Sequence, residues 1–257
     1  MSKKLNRKMV EIALILKSIN GNEIQIVSPG KDLKHVYCGK FQSNEIDSVT
    51  TELYYNDLIG GKGGELSSIA GRAPKFNSIS SSTALAVNTF APWKECVSKL
   101  KIKTKHNDFL GFDKLCFEHS IVTKNNRSPH LDVWLEWKNG ILAIECKFCE
   151  FLGSPSYTEI QSSYLDMIKK EGYRGPWIDA IEKVTNESMF KYFDVAQIIK
   201  HYFGIINTEK PEKHLLYLYW HPETMIGKTL VLIRNYFKSW RFLPTWFRKP
   251  LMLGFTF

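Results

Sequence analysis

The sequence predicts an α/β fold, a β-sheet with helices packed on it. Three observations carry that expectation. Two apolar runs joined by Asn139-Gly140, "HLDVWLEWKNGILAIECKF", read as a β-hairpin. Helical and extended segments interleave on both sides of that hairpin. The composition, 44% hydrophobic with 24% charged and 13% aromatic residues, is that of a folded chain and excludes a disordered one.

The elements follow in order. Residues 9–18 are apolar enough for a helix or a strand, and the pattern does not choose between them. Residues 20–50 read as turns and short extended pieces, punctuated by "NGN" and "SPGK". "LIGGKGGELSS" is a loop, because Gly60, Gly61, Gly63 and Gly64 remove any helix preference; Glu65 then opens a short helix. Ser80 to Ser82 supply an N-cap, Ala84 to Phe90 a helix, and Pro92 its end. Residues 112–123 alternate like a strand, and "TKNNRSP" is a loop before the hairpin. Tyr157–Lys170 and Met189–Tyr202 read as helices, "HLLYLYW" (214–220) as a buried strand, and Ile226–Trp240 as a last helix. The 257 residues contain no repeat and no evident linker. They read as one domain, with 1–50 as an N-terminal arm or extension and 224–257 as a basic-aromatic C-terminal extension.

The charge balance narrows the partner. There are 35 Lys+Arg against 26 Asp+Glu, a net +9, and a polyanion is the simplest match for such a surface. After Glu223 no acidic residue occurs, while Lys228, Arg234, Lys238, Arg241, Arg248 and Lys249 interleave with Tyr236, Phe237, Trp240, Phe242, Trp246 and Phe247. Basic groups among aromatics suit a nucleic acid. They also suit a packed helix with solvated charges, or an anionic membrane surface. No apolar run approaches the roughly 18 residues of a membrane span. The five cysteines are odd in number and lack disulfide-like spacing. The expectation is a cytoplasmic protein with reduced thiols and no membrane partner.

The hairpin carries three charged groups. With Asn139-Gly140 as the turn, Lys138 faces Ile141, Trp134 faces Glu145 and Asp132 faces Lys147. Opposed residues share a sheet face. His130, Asp132, Trp134, Glu145, Lys147 and Cys149 then project to one side. Leu131, Val133, Leu135, Leu142, Ile144 and Cys146 build a core on the other. Asp132 and Glu145 stand roughly 7 Å apart at the backbone as diagonal neighbours. Two such carboxylates repel unless a cation or proton neutralises them. Hard oxygen ligands select Mg²⁺ or Mn²⁺, with the Cys146 carbonyl as a further ligand. A lysine beside the ion, Lys147, positions or deprotonates water, or stabilises charge on a phosphoryl group. The competing reading is an exposed ion pair of little energetic weight.

"HLD", twelve residues, then "ECK" resembles the signature of the PD-(D/E)xK nuclease superfamily, the restriction-endonuclease-like fold. Leu131 stands where the family has Pro before the Asp; Pro129 lies three residues ahead of Asp132. The resemblance implies a mixed β-sheet core flanked by helices, Asp132 and Glu145 as metal ligands and Lys147 as the catalytic lysine. It also implies another carboxylate on an upstream helix, for which Glu65 is the candidate and Glu52 and Glu95 compete. "IQSSYL" places Gln161 and Tyr164 in a segment similar to the Gln-x-x-x-Tyr element of RecB-like nucleases, one residue shorter. "SSSTALAVNTF", which contains Asn88, looks like a block in a poorly characterised bacterial group of the superfamily, where it also precedes the Leu-Asp-Val and Glu-x-Lys strands. What this implies is a Mg²⁺- or Mn²⁺-dependent endonuclease, acting on DNA before RNA. A catalytically inactive nucleic-acid-binding module of the same fold is the alternative. Since many such nucleases dimerise to cut both strands, a homodimer stays open.

Other motifs weigh less. "GGKGGE" has the glycines of a phosphate loop, but Gly follows Lys62 where Ser or Thr belongs; Lys62 is at most a contact to a nucleic-acid backbone. Cys146 and Cys149 point to opposite faces of a strand, so they do not share a metal. Asn88 reads as a lock between helix and sheet or as a DNA contact. Trp134 reads as packing under a helix before base stacking.

Overall fold

A computed structural model describes residues 26–27, 37–46, 48–61, 64–68, 73–104, 107–123, 128–148, 160, 162–172, 178, 181, 194–219 and 252–256. A five-stranded mixed sheet forms the centre, in the order β5-β6-β7-β8-β9. Its strands are β5 (Lys114–Ser120), β6 (His130–Trp137), β7 (Gly140–Lys147), β8 (Glu212–Tyr219) and β9 (Met252–Thr256). β5, β6 and β7 are antiparallel neighbours, β7 and β8 run parallel, and β9 returns antiparallel to β8. Two short antiparallel pairs lie outside it: β1 (Ile26–Val27) with β2 (Tyr37–Cys38), and β3 (Ile102–Lys103) with β4 (Asp108–Phe109). Among the described residues the α-helices with stated bounds are α1 (Tyr55–Gly60), α2 (Ser82–Phe90), α3 (Ser162–Glu171) and α4 (Val195–Ile206). A parallel β7–β8 pair needs a crossover, and α3 and α4 lie in it. The expected α/β fold, of restriction-endonuclease-like kind, is the one observed.

Both faces of the sheet are buried. On one, Val133, Leu135, Leu142, Ile144, Leu216 and Leu218 pack with Leu58 of α1 and Ala84, Val87 and Phe90 of α2. On the other, Trp134, Ile141, Ala143, Leu215 and Tyr217 pack with Ile198 and Ile205 of α4. That explains the nearly unbroken apolar run of β7, a central strand covered twice. It also corrects the expectation of one apolar and one polar face, because the charges of the hairpin lie beside a second core rather than on an open surface.

The hairpin register differs from expectation by two residues. Trp137 pairs with Gly140 and Trp134 with Ala143, so Lys138 and Asn139 form the turn. Gly140 joins the strand because the Trp137 indole lies over its Cα, where a Cβ would collide with the ring. A shift of two preserves the alternation of faces, so the division between Val133/Ile144 and Trp134/Ala143 stands.

Three boundaries differ as well. The first residues of "LIGGKGG" are helical, closing α1, and Gly61 caps it. Gly61 is needed for close approach: a Cβ there would stand 2.6 Å from the Cβ of Glu118. Glu65 lies on a turn rather than opening a helix. Ser81 caps α2, its hydroxyl accepting the Ala84 N–H at 3.1 Å, but Pro92 does not stop the chain. It sits in the first turn of a following 3-10 stretch, Ala91–Lys99, where its missing N–H costs nothing. Residues 9–18 and the expected helix at 226–240 lie outside the described residues.

Candidate active site

The site forms where the alternation of β5 and β6 breaks. Their ladder runs from Lys114↔Glu136 to Phe117↔Val133 and resumes at His119↔Leu131. Glu118 and Asp132 drop out between. Glu118 has φ of 48°, the left-handed region that a side chain enters at a cost. Beyond the break His119 meets the Trp134 ring at 4.4 Å, and Leu131 packs with Trp134 rather than with Val133. This overturns the placement of Leu131 in the first core: the local reversal swings it across the sheet. Asp57 of α1 braces the kink, its Oδ2 accepting the Phe117 N–H at 2.9 Å and the Lys94 ammonium at 2.5 Å.

The predicted trio comes together here. Asp132 Oδ2 accepts the main-chain N–H of Cys146 at 2.6 Å, between Glu145 and Lys147. Lys147 Nζ stands 2.6 Å from Glu145 Oε1. Both carboxylates are buried, Asp132 at 9% and Glu145 at 2% exposure. The competing reading of an exposed ion pair does not hold, because both carboxylates are buried and the Lys147 ammonium pairs with Glu145. Cys146 puts its side chain in the first core and its N–H on Asp132.

Glu65 is also buried. Its Oε1 pairs with Lys75 at 2.8 Å, and its Oε2 accepts the Thr83 hydroxyl of α2 at 3.0 Å. Its rivals Glu52 and Glu95 are exposed. Asn88 locks rather than reaches outward. Its amide donates to the Asn44 carbonyl at 2.7 Å and accepts the Ile46 N–H at 3.2 Å, holding residues 44–46 onto α2. Tyr164 is buried with Met167, Ile181 and Phe203 between α3 and α4, a core position. Lys62 and Gln161 lie outside the described residues, as does Cys149. Trp134 donates its indole N–H to Glu136 at 2.8 Å and is packed under α4. His130 Nδ1 lies 3.4 Å from the Glu118 carbonyl.

Two residues of the site escaped the sequence reading. Glu118 is 7% exposed, and its carboxyl is pushed up to about 9 by burial first, then by Asp132, Glu65 and Glu145. It carries a proton at neutral pH, and four carboxylates share one electrostatic environment. His201 of α4 is 1% exposed, and its Nδ1 stands 3.6 Å from Glu145 Oε2. Burial, then the Lys147 ammonium, push that imidazole down to about 3, so it is neutral. Its signal was present: His201 lies three residues after Ile198 and four before Ile205, on the buried stripe of α4. Glu118 had none, since nothing in "KLCFEHS" marks a break in the strand.

A family model described as Restriction Endonuclease associating with ARP matches residues 30–226. The chain belongs to this family. No curated protein and no solved structure matches it. As a restriction-endonuclease family member it is a nuclease, with nucleic acid as its substrate class. The matched span contains Glu65, Glu118, Asp132, Glu145, Lys147 and His201 together. No described helix of this restriction-endonuclease family member is long and apolar enough to cross a membrane.

A divalent cation suits this donor set in charge and in kind. Burial and the neighbouring Asp132, Glu65 and Glu145 raise the Glu118 carboxyl, and the Nδ1 of His201 is buried without a hydrogen-bond partner. Among the described residues no three acidic, His or Cys side chains already stand in one coordination sphere. Glu145 pairs with Lys147, and Asp132 accepts the Cys146 N–H.

Proposed function

We propose that the chain is a PD-(D/E)xK-type, divalent-metal-dependent DNA endonuclease. The observation that carries the reading is the Asp132 Oδ2 to Cys146 N–H bond of 2.6 Å, which brings the Asp carboxylate against the Glu-x-Lys segment. Asp132 and Glu145 would hold Mg²⁺ or Mn²⁺, with Glu65 or Glu118 completing the oxygen set and the Cys146 carbonyl as a further donor. When bound, the ion polarises the phosphodiester and lowers the pKa of a bound water. Lys147, freed from Glu145, orients that water and faces the charge that grows on the phosphoryl oxygens. Burial of the carboxylates excludes bulk water and strengthens each of these interactions. The net charge of +9 supplies salt-sensitive attraction to the DNA backbone.

The test is nicking of supercoiled plasmid by the full chain with Mg²⁺ or Mn²⁺, with and without chelator, beside Asp132→Ala and Lys147→Ala. Cleavage by wild type alone supports the proposal. Equal cleavage by all three ends it. A second reading, a binding module that grips nucleic acid without cutting, is favoured by the two ion pairs that already neutralise Glu65 and Glu145. Gel-shift binding without metal-dependent turnover on DNA or RNA would select it.

A further inference from the structure

We infer that the cleft at the end of the sheet where β7 begins is a second binding site, one that takes the guanidinium of an arginine side chain from a partner protein. The inference stands apart from the metal question.

The cleft has a volume of about 340 Å³ and lies between β4, the end of β6 and the start of β8. Its walls are aromatic. The Phe109 ring meets the His214 imidazole edge-on at 4.8 Å, and the Trp137 indole lies nearly parallel to that imidazole at 5.9 Å. Its charged groups are two exposed carboxylates, Asp108 and Glu212. In a chain of net charge +9, no Lys or Arg stands among the described residues that line it. That sign disfavours a phosphate backbone and selects a cation. The rings select the same class. A cation within about 6 Å of a ring centroid is held by the ring quadrupole, and a planar guanidinium also stacks on a ring while its N–H fork meets a carboxylate. Lys103 reaches Asp108 at 3.6 Å, but both side chains are more than half exposed, so that pair yields to a ligand at little cost.

A small satellite core would account for the rings but not for Nδ1 of His214, which is buried with no hydrogen-bond partner among the described residues. Burial pushes this imidazole down, with Glu212 opposing, so the ring is neutral at pH 7. With its proton on the other nitrogen, it presents Nδ1 as an acceptor for a guanidinium N–H. Leu110, 60% exposed, lines the cleft with Asp108 and Glu212 and offers the aliphatic stem of an arginine an apolar lip. These three exposed residues open the cleft to solvent, where a partner's side chain can enter. The candidate active site is remote. Glu212 pairs with Gly140 and Tyr217 with Glu145, and five residues of strand span roughly 16 Å.

The test is titration of the full chain with a blocked Gly-Arg-Gly peptide, followed by NMR at the assigned Trp137 indole N–H. The peptide should shift that signal saturably. Its citrulline counterpart, of the same shape without the charge, should bind on the order of tenfold more weakly. The double variant Asp108→Asn/Glu212→Gln, at two exposed positions, should keep its fold by circular dichroism and lose affinity for the arginine peptide on the order of tenfold. Guanosine monophosphate should leave the signal in place. No saturable shift, equal binding of the citrulline peptide, or unchanged affinity in the folded double variant overturns the proposal. So does tighter binding of guanosine monophosphate, which would make the cleft a nucleobase site, or of free arginine, which would make the ligand a small molecule.

Discussion

Asp132 and Cys146 are joined by a side-chain to main-chain hydrogen bond, the Asp132 carboxylate accepting the Cys146 N–H at 2.6 Å in the buried sheet. The bond forms because Asp132 has dropped out of the β5–β6 ladder at the kink opposite Glu118. Removing the carboxylate with Asp132→Ala leaves that N–H without its partner. The expected results are loss of cleavage by at least about a hundredfold and a stability loss of about 1–3 kcal/mol. Plasmid nicking and denaturant unfolding check the two separately.

Lys147 and Glu145 separate binding from turnover. Lys147→Ala should lower cleavage to background while preserving Mn²⁺ binding, because the carboxylates remain. Lys147→Arg should not restore cleavage, since a forked guanidinium cannot take the place of a compact ammonium beside Glu145. Parallel nicking and calorimetry with Mn²⁺ measure this; loss of both properties together would make Lys147 structural.

Glu118 makes stability depend on pH. Its carboxyl rises from an ordinary 4.5 to about 9 in the folded chain. Between those values the folded protein keeps a proton that the unfolded chain releases, so stability falls as pH rises through the window. Glu118→Gln removes that loss. The gap in thermal midpoint between Glu118→Gln and wild type should widen in favour of the variant from pH 5 to pH 9, by roughly 3 °C or more. A constant gap would mean that Glu118 is ionised throughout.

Asn88 is a lock. Asn88→Ala should cost about 1–3 kcal/mol, because two main-chain groups of residues 44–46 lose buried partners, and DNA affinity should stay unchanged. Thermal melting and a gel shift at matched salt decide it. Weaker DNA binding at unchanged stability would return Asn88 to the interface.

How far the sequence exposes this site follows from what pattern encodes. The faces of Val133–Trp137 and Ile141–Cys146 are legible, because alternation survives a register shift of two, while that of Leu131 is lost at the kink; the register is not legible, because it depends on the Trp137 ring covering Gly140. Asp132, Glu145 and Lys147 are legible as charges inside apolar strands. Glu118 is hidden because its role comes from a backbone kink and from α1 pressing through Gly61. His201 is hidden in a different way: a histidine on an apolar stripe looks like core until the carboxylate above it is placed. The burial of the second face is not legible because α4, distant in sequence, covers it.

The most direct test of the central claim is an anomalous difference map from crystals of the full chain grown with Mn²⁺. A peak within coordination distance of both the Asp132 and Glu145 carboxylates is the predicted result. A map with no peak there, or with the ion bound away from that pair, would contradict it.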